Sequence, residues 1–253
     1  MKIIIADTSK TLGQLAGTEA AALIRQILSE KGKANIILAT GTSQFETISQ
    51  LISEENIDWS KVTMFHLDEY IGLPVTHPAS FRKYLKERFL EKVSPTPDHF
   101  LINGETNLEE EIERLSTAIS EHPIDVALVG IGENGHLAFN DPPADFETEN
   151  PYLIVNLDEP CRLQQMNEGW FATLGDVPSQ AISMSVKQIM KSTHIICSVP
   201  DLRKAQAVKD SIEQDVSNRY PASILQLHEN CSFFLDKDSA SLSSEQKLKE
   251  IDA

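Results

Sequence analysis

No stretch of the 253-residue chain is long and apolar enough to cross a bilayer. The apolar run near the N-terminus, Ile3 to Ala6, stops at Asp7 and is too short for the core of a signal peptide. These absences predict a cytoplasmic protein without a membrane partner. Cysteine is scarce: Cys161, Cys197 and Cys231 are odd in number, far apart, and show neither Cys-x-x-Cys nor His/Cys ligand spacing. That excludes a disulfide framework and leaves three reduced packing residues, with no metal site indicated. Positive charge is also short, 22 Lys+Arg against 38 Asp+Glu for a net charge of −16. Such a field repels nucleic acid and anionic lipid, and no helix-turn-helix or basic segment offsets it. It repels phosphorylated metabolites too, so any anion site must be built locally from backbone N–H groups and a few placed cations.

With 41% hydrophobic residues the chain can bury a sizeable core. Short β-branched runs recur at Ile3 to Ala6, Asn35 to Leu38, Val62 to Leu67, Ile124 to Val129 and Thr193 to Val199. Several are apolar almost throughout, as buried parallel strands are. Amphipathic segments of helical length separate them: Leu12 to Glu30, Phe45 to Glu54, Asn107 to His122 and Leu202 to Ile212. This alternation predicts an α/β fold, an open, mostly parallel, doubly wound sheet with helices on both faces. No internal repeat is visible. One domain over residues 1–240 is expected, followed by a polar tail, 241–253, that reads as a surface helix or a frayed end.

In such sheets ligands gather beyond the carboxyl ends of the strands, and three loops there carry chemistry. Ala39-Thr40-Gly41-Thr42-Ser43 follows a strand and precedes a helix, a composition that lets N–H groups converge on an anion but also suits an ordinary N-cap. Phe65-His66-Leu67-Asp68-Glu69-Tyr70 places two carboxylates where an apolar strand runs out. Alternation sends one toward the ligand edge and the other elsewhere, and partial burial would tune the first as a general base. The third loop, Gly130 to Pro142, delivers His136 between Asn134 and Asp141 on a glycine-rich backbone. A carboxylate beside a histidine fixes its tautomer.

Thr40-Gly41-Thr42, Leu67-Asp68-Glu69-Tyr70, Gly135-His136-Leu137-Ala138-Phe139-Asn140 and Pro221-Ala222-Ser223-Ile224-Leu225-Gln226-Leu227-His228 occur in that order. Together they resemble the phrases of the glucosamine-6-phosphate deaminase/isomerase family, over about residues 1–240. The related 6-phosphogluconolactonases carry an arginine where Tyr70 stands and Ser-Leu where Phe139-Asn140 stands, which favours the deaminase branch. The resemblance implies conversion of glucosamine 6-phosphate to fructose 6-phosphate and ammonia, with no metal or organic cofactor. It casts Asp68 as the base that carries a proton from C2 to C1, and His136, held by Asp141, as the shuttle to the ring oxygen. The phosphate is expected on Thr40, Gly41, Thr42 and Ser43 with Lys204. Three departures bear on substrate identity: Asn134 replaces the family's Asp, Asp141 its Glu, and Gly169 a phosphate-binding Arg, with Arg162 nearby but out of alignment. Asn134 is expected to orient the histidine ring without adding charge. A sugar-phosphate lactonase and a non-catalytic sugar-phosphate sensor remain as alternatives, and the oligomeric state is undetermined.

Overall fold

The computed structural model describes residues 1–244. Seven strands form a wholly parallel sheet: β1 (Lys2–Ala6), β2 (Ala34–Leu38), β3 (Val62–His66), β5 (Asp98–Phe100), β6 (Val126–Val129), β9 (His194–Val199) and β10 (Cys231–Asp236). Their spatial order is β1-β10-β9-β6-β2-β3-β5, so the chain winds outward from β2 in one direction and from β6 in the other. The crevice between the carboxyl ends of β2 and β6 is the switch point of the fold.

Side chains alternate across the sheet with the strand period of two. Ile36, Leu38, Val126, Leu128, Ile196 and Phe234 join one apolar cluster with α1 (Ser9–Lys31) and α2 (Phe45–Ser53). Ile37, Ala127, Val129, Ile195, Cys197, Phe233 and Leu235 join the other with α4 (Leu108–Glu121) and α7 (Ala205–Glu213). Helices therefore cover both faces, as the alternation predicts.

The strand expected to run to Leu67 stops at His66. Asp68 opens β4 (Asp68–Tyr70), which belongs to a separate antiparallel sheet ordered β4-β8-β7, with β7 (Tyr152–Asn156) and β8 (Gln180–Met184). Met184 N–H donates to Leu67 O at 2.6 Å and the Tyr152 hydroxyl to His66 O at 3.1 Å, fastening the small sheet to the end of β3. Three short helices complete the elements in use below: α3 (Phe81–Leu85), α5 (Glu159–Asn167) and α6 (Val186–Met190). The expected helix at Leu202 begins as a 3-10 turn, Leu202–Lys204, and the one near Gln44 as another, Thr42–Gln44. Of the polar tail, residues beyond 244 lie outside the described ones.

Helix α1 presents Gly13, Ala16, Gly17 and Ala20 as a buried small-residue strip, and α2 presses into it. A Cβ on Gly13 would lie 2.7 Å from the Glu46 carbonyl carbon, and one on Gly17 2.6 Å from Thr47 O. Those are backbone atoms of α2, the helix that leads out of the Thr40 to Ser43 loop. Gly13→Ala gains about 1 kcal/mol of helix propensity against an overpacking cost of about 1–3 kcal/mol. The variant is expected to melt below wild type in calorimetry; an equal or higher Tm would show that α2 yields freely.

Candidate active site

A cavity at the switch point is lined by Ala39 to Ser43 after β2, Leu67 and Asp68 after β3, and Gly130 to Gly132 with His136 after β6. Lys204, after β9, closes one side, and Gln164, Gln165 and Glu168 of the α5 segment close another. The structure thus brings Thr40, Gly41, Thr42, Ser43, Asp68, His136 and Lys204 around one space.

Asp68 and Glu69 are both buried, yet their surroundings differ. Glu69 points away from the cavity to the start of α3, where it accepts the N–H groups of Phe81 (3.3 Å) and Arg82 (2.9 Å), the Ser80 hydroxyl (2.8 Å) and Arg82 Nε (3.3 Å). Burial raises its pKa and these donors oppose the rise. Asp68 accepts no side-chain hydrogen bond among the described residues. Burial first, and the neighbouring Glu69 charge second, push its pKa from 3.8 to about 8.

His136 Nδ1 lies 3.0 Å from Asp141 Oδ1, although the approach is out of line for a good hydrogen bond. Burial pushes the Asp141 carboxyl up, but His136, the Asn134 amide (3.0 Å) and Asp158 N–H (3.2 Å) outweigh it and leave the pKa lowered. Gly132 makes room for the imidazole, since a Cβ there would overlap ring atoms Cε1, Nε2 and Nδ1. Asn134 lies off the cavity lining. Its amide N–H donates to Asp141 and its carbonyl accepts His136 N–H at 3.1 Å, so it orients the carboxylate and the loop, and does not hold the ring as expected from sequence.

The Thr40 to Ser43 loop is braced from beneath. Gln44 Nε2 reaches Ser43 Oγ (3.2 Å), Ser198 O (3.3 Å) and Val129 O (3.4 Å), tying the loop to the ends of β6 and β9. The Tyr84 hydroxyl donates to Gly41 O at 3.1 Å. Thr42 and Ser43 open the 3-10 turn, so their N–H groups have no partner within it. Lys204 is 5% exposed and has no ion-pair or hydrogen-bond partner for its ammonium among the described residues. Burial lowers its pKa. Arg162 is turned elsewhere, donating to Leu174 O (2.7 Å) and Val177 O (2.9 Å). Gly169 takes φ 86°, a left-handed conformation in which an arginine would be strained. No arginine therefore replaces the expected phosphate-binding one on this segment.

Sequence reasoning missed Gln164, Gln165 and Glu168. Asp158, whose side chain caps α5 by accepting Cys161 N–H at 2.7 Å, and Pro160 in its first turn mark the helix start. Nothing in the residue pattern said that this helix faces the cavity.

Residues 7–233 match the family model described as glucosamine-6-phosphate isomerases/6-phosphogluconolactonase. The chain belongs to that family. A glucosamine-6-phosphate deaminase of Streptococcus uberis is 34% identical over 242 residues, covering 95% of this chain and 99% of its own. One of Streptococcus pneumoniae (strain 70585) is 36% identical over 221 residues, covering 86% and 92%. Among solved structures, a monomeric glucosamine-6-phosphate deaminase, described as a missing link of the NagB superfamily, superposes with a TM-score of 0.86 at 34% identity. It covers 96% of this chain and 100% of its own. A 6-phosphogluconolactonase from Shewanella baltica OS155 shares the fold, with a TM-score of 0.76 at 19% identity over 93% of this chain and 97% of its own.

The acid in the family site has a stability consequence. An acid whose pKa is about 8 in the folded state and 3.8 in the unfolded one holds its proton more tightly when native. Its contribution to stability therefore declines as pH rises across that interval. Asp68→Asn removes the decline. The Tm difference, variant minus wild type, is expected to grow between about pH 4 and pH 8 and to level off outside that window. A difference independent of pH across it would contradict the raised pKa.

Proposed function

We propose that this chain is a glucosamine-6-phosphate deaminase, converting glucosamine 6-phosphate and water to fructose 6-phosphate and ammonia in the cytoplasm. The observation that carries the reading is a buried carboxyl group, Asp68, sharing one cavity with a histidine beside a carboxylate, His136, and with a buried ammonium, Lys204, the acid and the ammonium both unpaired among the described residues. The named relatives at 34–36% identity support the same reading.

The phosphate rests on the N–H groups of Thr42 and Ser43, with Thr40 and Gly41 shaping the loop and Lys204 supplying the charge. Local construction of this kind suits a chain whose net charge is −16. His136 carries a proton to the ring oxygen as the pyranose opens, and Asp141 supports the imidazolium that alternates with the neutral ring. Asp68 takes the C2 proton and returns it to C1, so that the C2 amine becomes an imine, which water hydrolyses to the ketone with release of ammonia. A carboxylate whose pKa is about 8 is a stronger base than an ordinary one and is suited to both halves of this transfer. The substrate's ammonium, brought beside it, favours the ionised form needed for the first half.

Ammonia and ketose phosphate should appear when the pure protein meets glucosamine 6-phosphate, and no acid release should follow with 6-phosphogluconolactone. The reverse pattern would make the chain a lactonase. Asp68→Asn is expected to lower kcat by about 10²-fold or more; unchanged turnover would remove Asp68 from the chemistry. Lys204→Ala should act mainly on KM, raising it roughly 10- to 100-fold for the loss of one charge-assisted contact. A KM within about twofold of wild type would place the phosphate elsewhere.

A further inference from the structure

Helix α5 turns two adjacent glutamines inward, Gln164 and Gln165, each 7% exposed. A buried amide is costly unless both its ends are answered, so the partners of each are informative. Gln164 is answered twice: its carbonyl accepts Glu133 N–H at 2.9 Å, and its amide N–H donates to Glu168 Oε1 at 2.9 Å. Gln165 is answered once. Its carbonyl accepts the Tyr70 hydroxyl at 2.9 Å, while its amide N–H group has no acceptor among the described residues. Gln165 lines the same cavity as Asp68 and His136.

Tyr70 makes that half-used amide directional. Its ring is fully buried and packs against Phe81, Phe139 and Phe171 at centroid distances of 5.1, 5.3 and 5.5 Å. Burial holds its hydroxyl protonated by raising the pKa well above 10.0. A fixed O–H donor is best met by the amide oxygen, which leaves the N–H group turned away from Tyr70. Tyr70 stands two residues after Asp68 on β4, and residues two apart on a strand share a face. The glutamine at its tip therefore belongs to the side of the cavity that holds the acid, and Lys204 with the Thr40 to Ser43 loop forms the anion side.

The geometry points to Gln165 as a specificity-determining residue whose amide N–H donates to an oxygen on the carbon chain of the sugar phosphate, with Tyr70 as its positioning residue. The inference rests on the deaminase reading for the nature of the ligand. A site that offers such a donor rejects analogues lacking the oxygen, because the amide is then buried without a partner. It also gives α5 a role in recognition that does not depend on the missing arginine at Gly169.

The test uses the full-length protein and compares wild type with Gln165→Leu, Gln165→Glu and Tyr70→Phe. The probes are glucosamine 6-phosphate for turnover, and inorganic phosphate and the open-chain amino-alditol 6-phosphate, with its 3-deoxy and 4-deoxy forms, for calorimetric binding. Gln165→Leu is expected to lower kcat/KM and alditol-phosphate affinity by about 10- to 100-fold, and to leave inorganic phosphate affinity within about twofold. Gln165→Glu keeps the acceptor for Tyr70 but loses the cavity-facing donor, so it should show the same loss. Wild type should discriminate against one deoxy form, and both Gln165 variants should lose that discrimination. Tyr70→Phe should weaken binding in the wild-type background and add little to Gln165→Leu. Unchanged alditol-phosphate affinity, or deoxy discrimination retained in both Gln165 variants, would overturn the assignment. Binding without turnover by wild type would sink the deaminase reading alone, and the affinity ratios would still decide Gln165. Absence of any sugar-phosphate binding by wild type would overturn both.

Discussion

Two carboxylates stand side by side in the interior, and only one of them is answered. Glu69 is surrounded by donors from the start of α3 and by Arg82. Asp68 accepts no side-chain hydrogen bond among the described residues, and burial first, with the neighbouring Glu69 charge second, pushes its pKa to about 8. Much of the surrounding architecture maintains that difference. The chain leaves the large sheet at Leu67, and the antiparallel sheet begins at Asp68 itself, so successive side chains go to opposite sides of a three-residue strand. Breaking the donor set around Glu69 would leave a buried carboxylate unpaired beside Asp68, which is strongly destabilising.

Lys204 follows the same logic with the opposite sign. Lys204 is buried and its ammonium has no carboxylate partner among the described residues. Its pKa is lowered by burial, the converse of Asp68. Gln44 and Tyr84 hold the loop that faces it, from below and from the side. Under the proposed function Asp68 and Lys204 face a molecule that brings a cation to one end and an anion to the other, as an amino-sugar phosphate does.

Much of this was legible in the sequence, for physical reasons. Of the parallel strands beside the crevice, β6 is a continuous apolar run and β2, β3 and β9 are mostly apolar, and all four fall within two residues of their expected bounds. The loops after them announce themselves by glycine, hydroxyl and charge. The remainder depended on distance along the chain. β10 pairs with both β1 and β9 and went unread, as did the small sheet, which joins Asp68 to Ser183 and Tyr152 to Met184. No local period distinguishes a short strand whose partners lie in other segments of the chain. The part of Asn134 was misjudged because adjacency to His136 in sequence does not say which group its amide meets. Gln165 was invisible until Tyr70 was seen to hold it.

Among the described residues Asp68 is a buried acid that accepts no side-chain hydrogen bond. A carboxyl-carbon NMR titration, with the Asp68 resonance assigned by its absence from Asp68→Asn, tests this most directly. The account predicts a midpoint near 8 for Asp68. A midpoint in the ordinary aspartate range, about 4, would show that the carboxylate is solvated or paired in solution, and the asymmetry between the two acids would have to be given up.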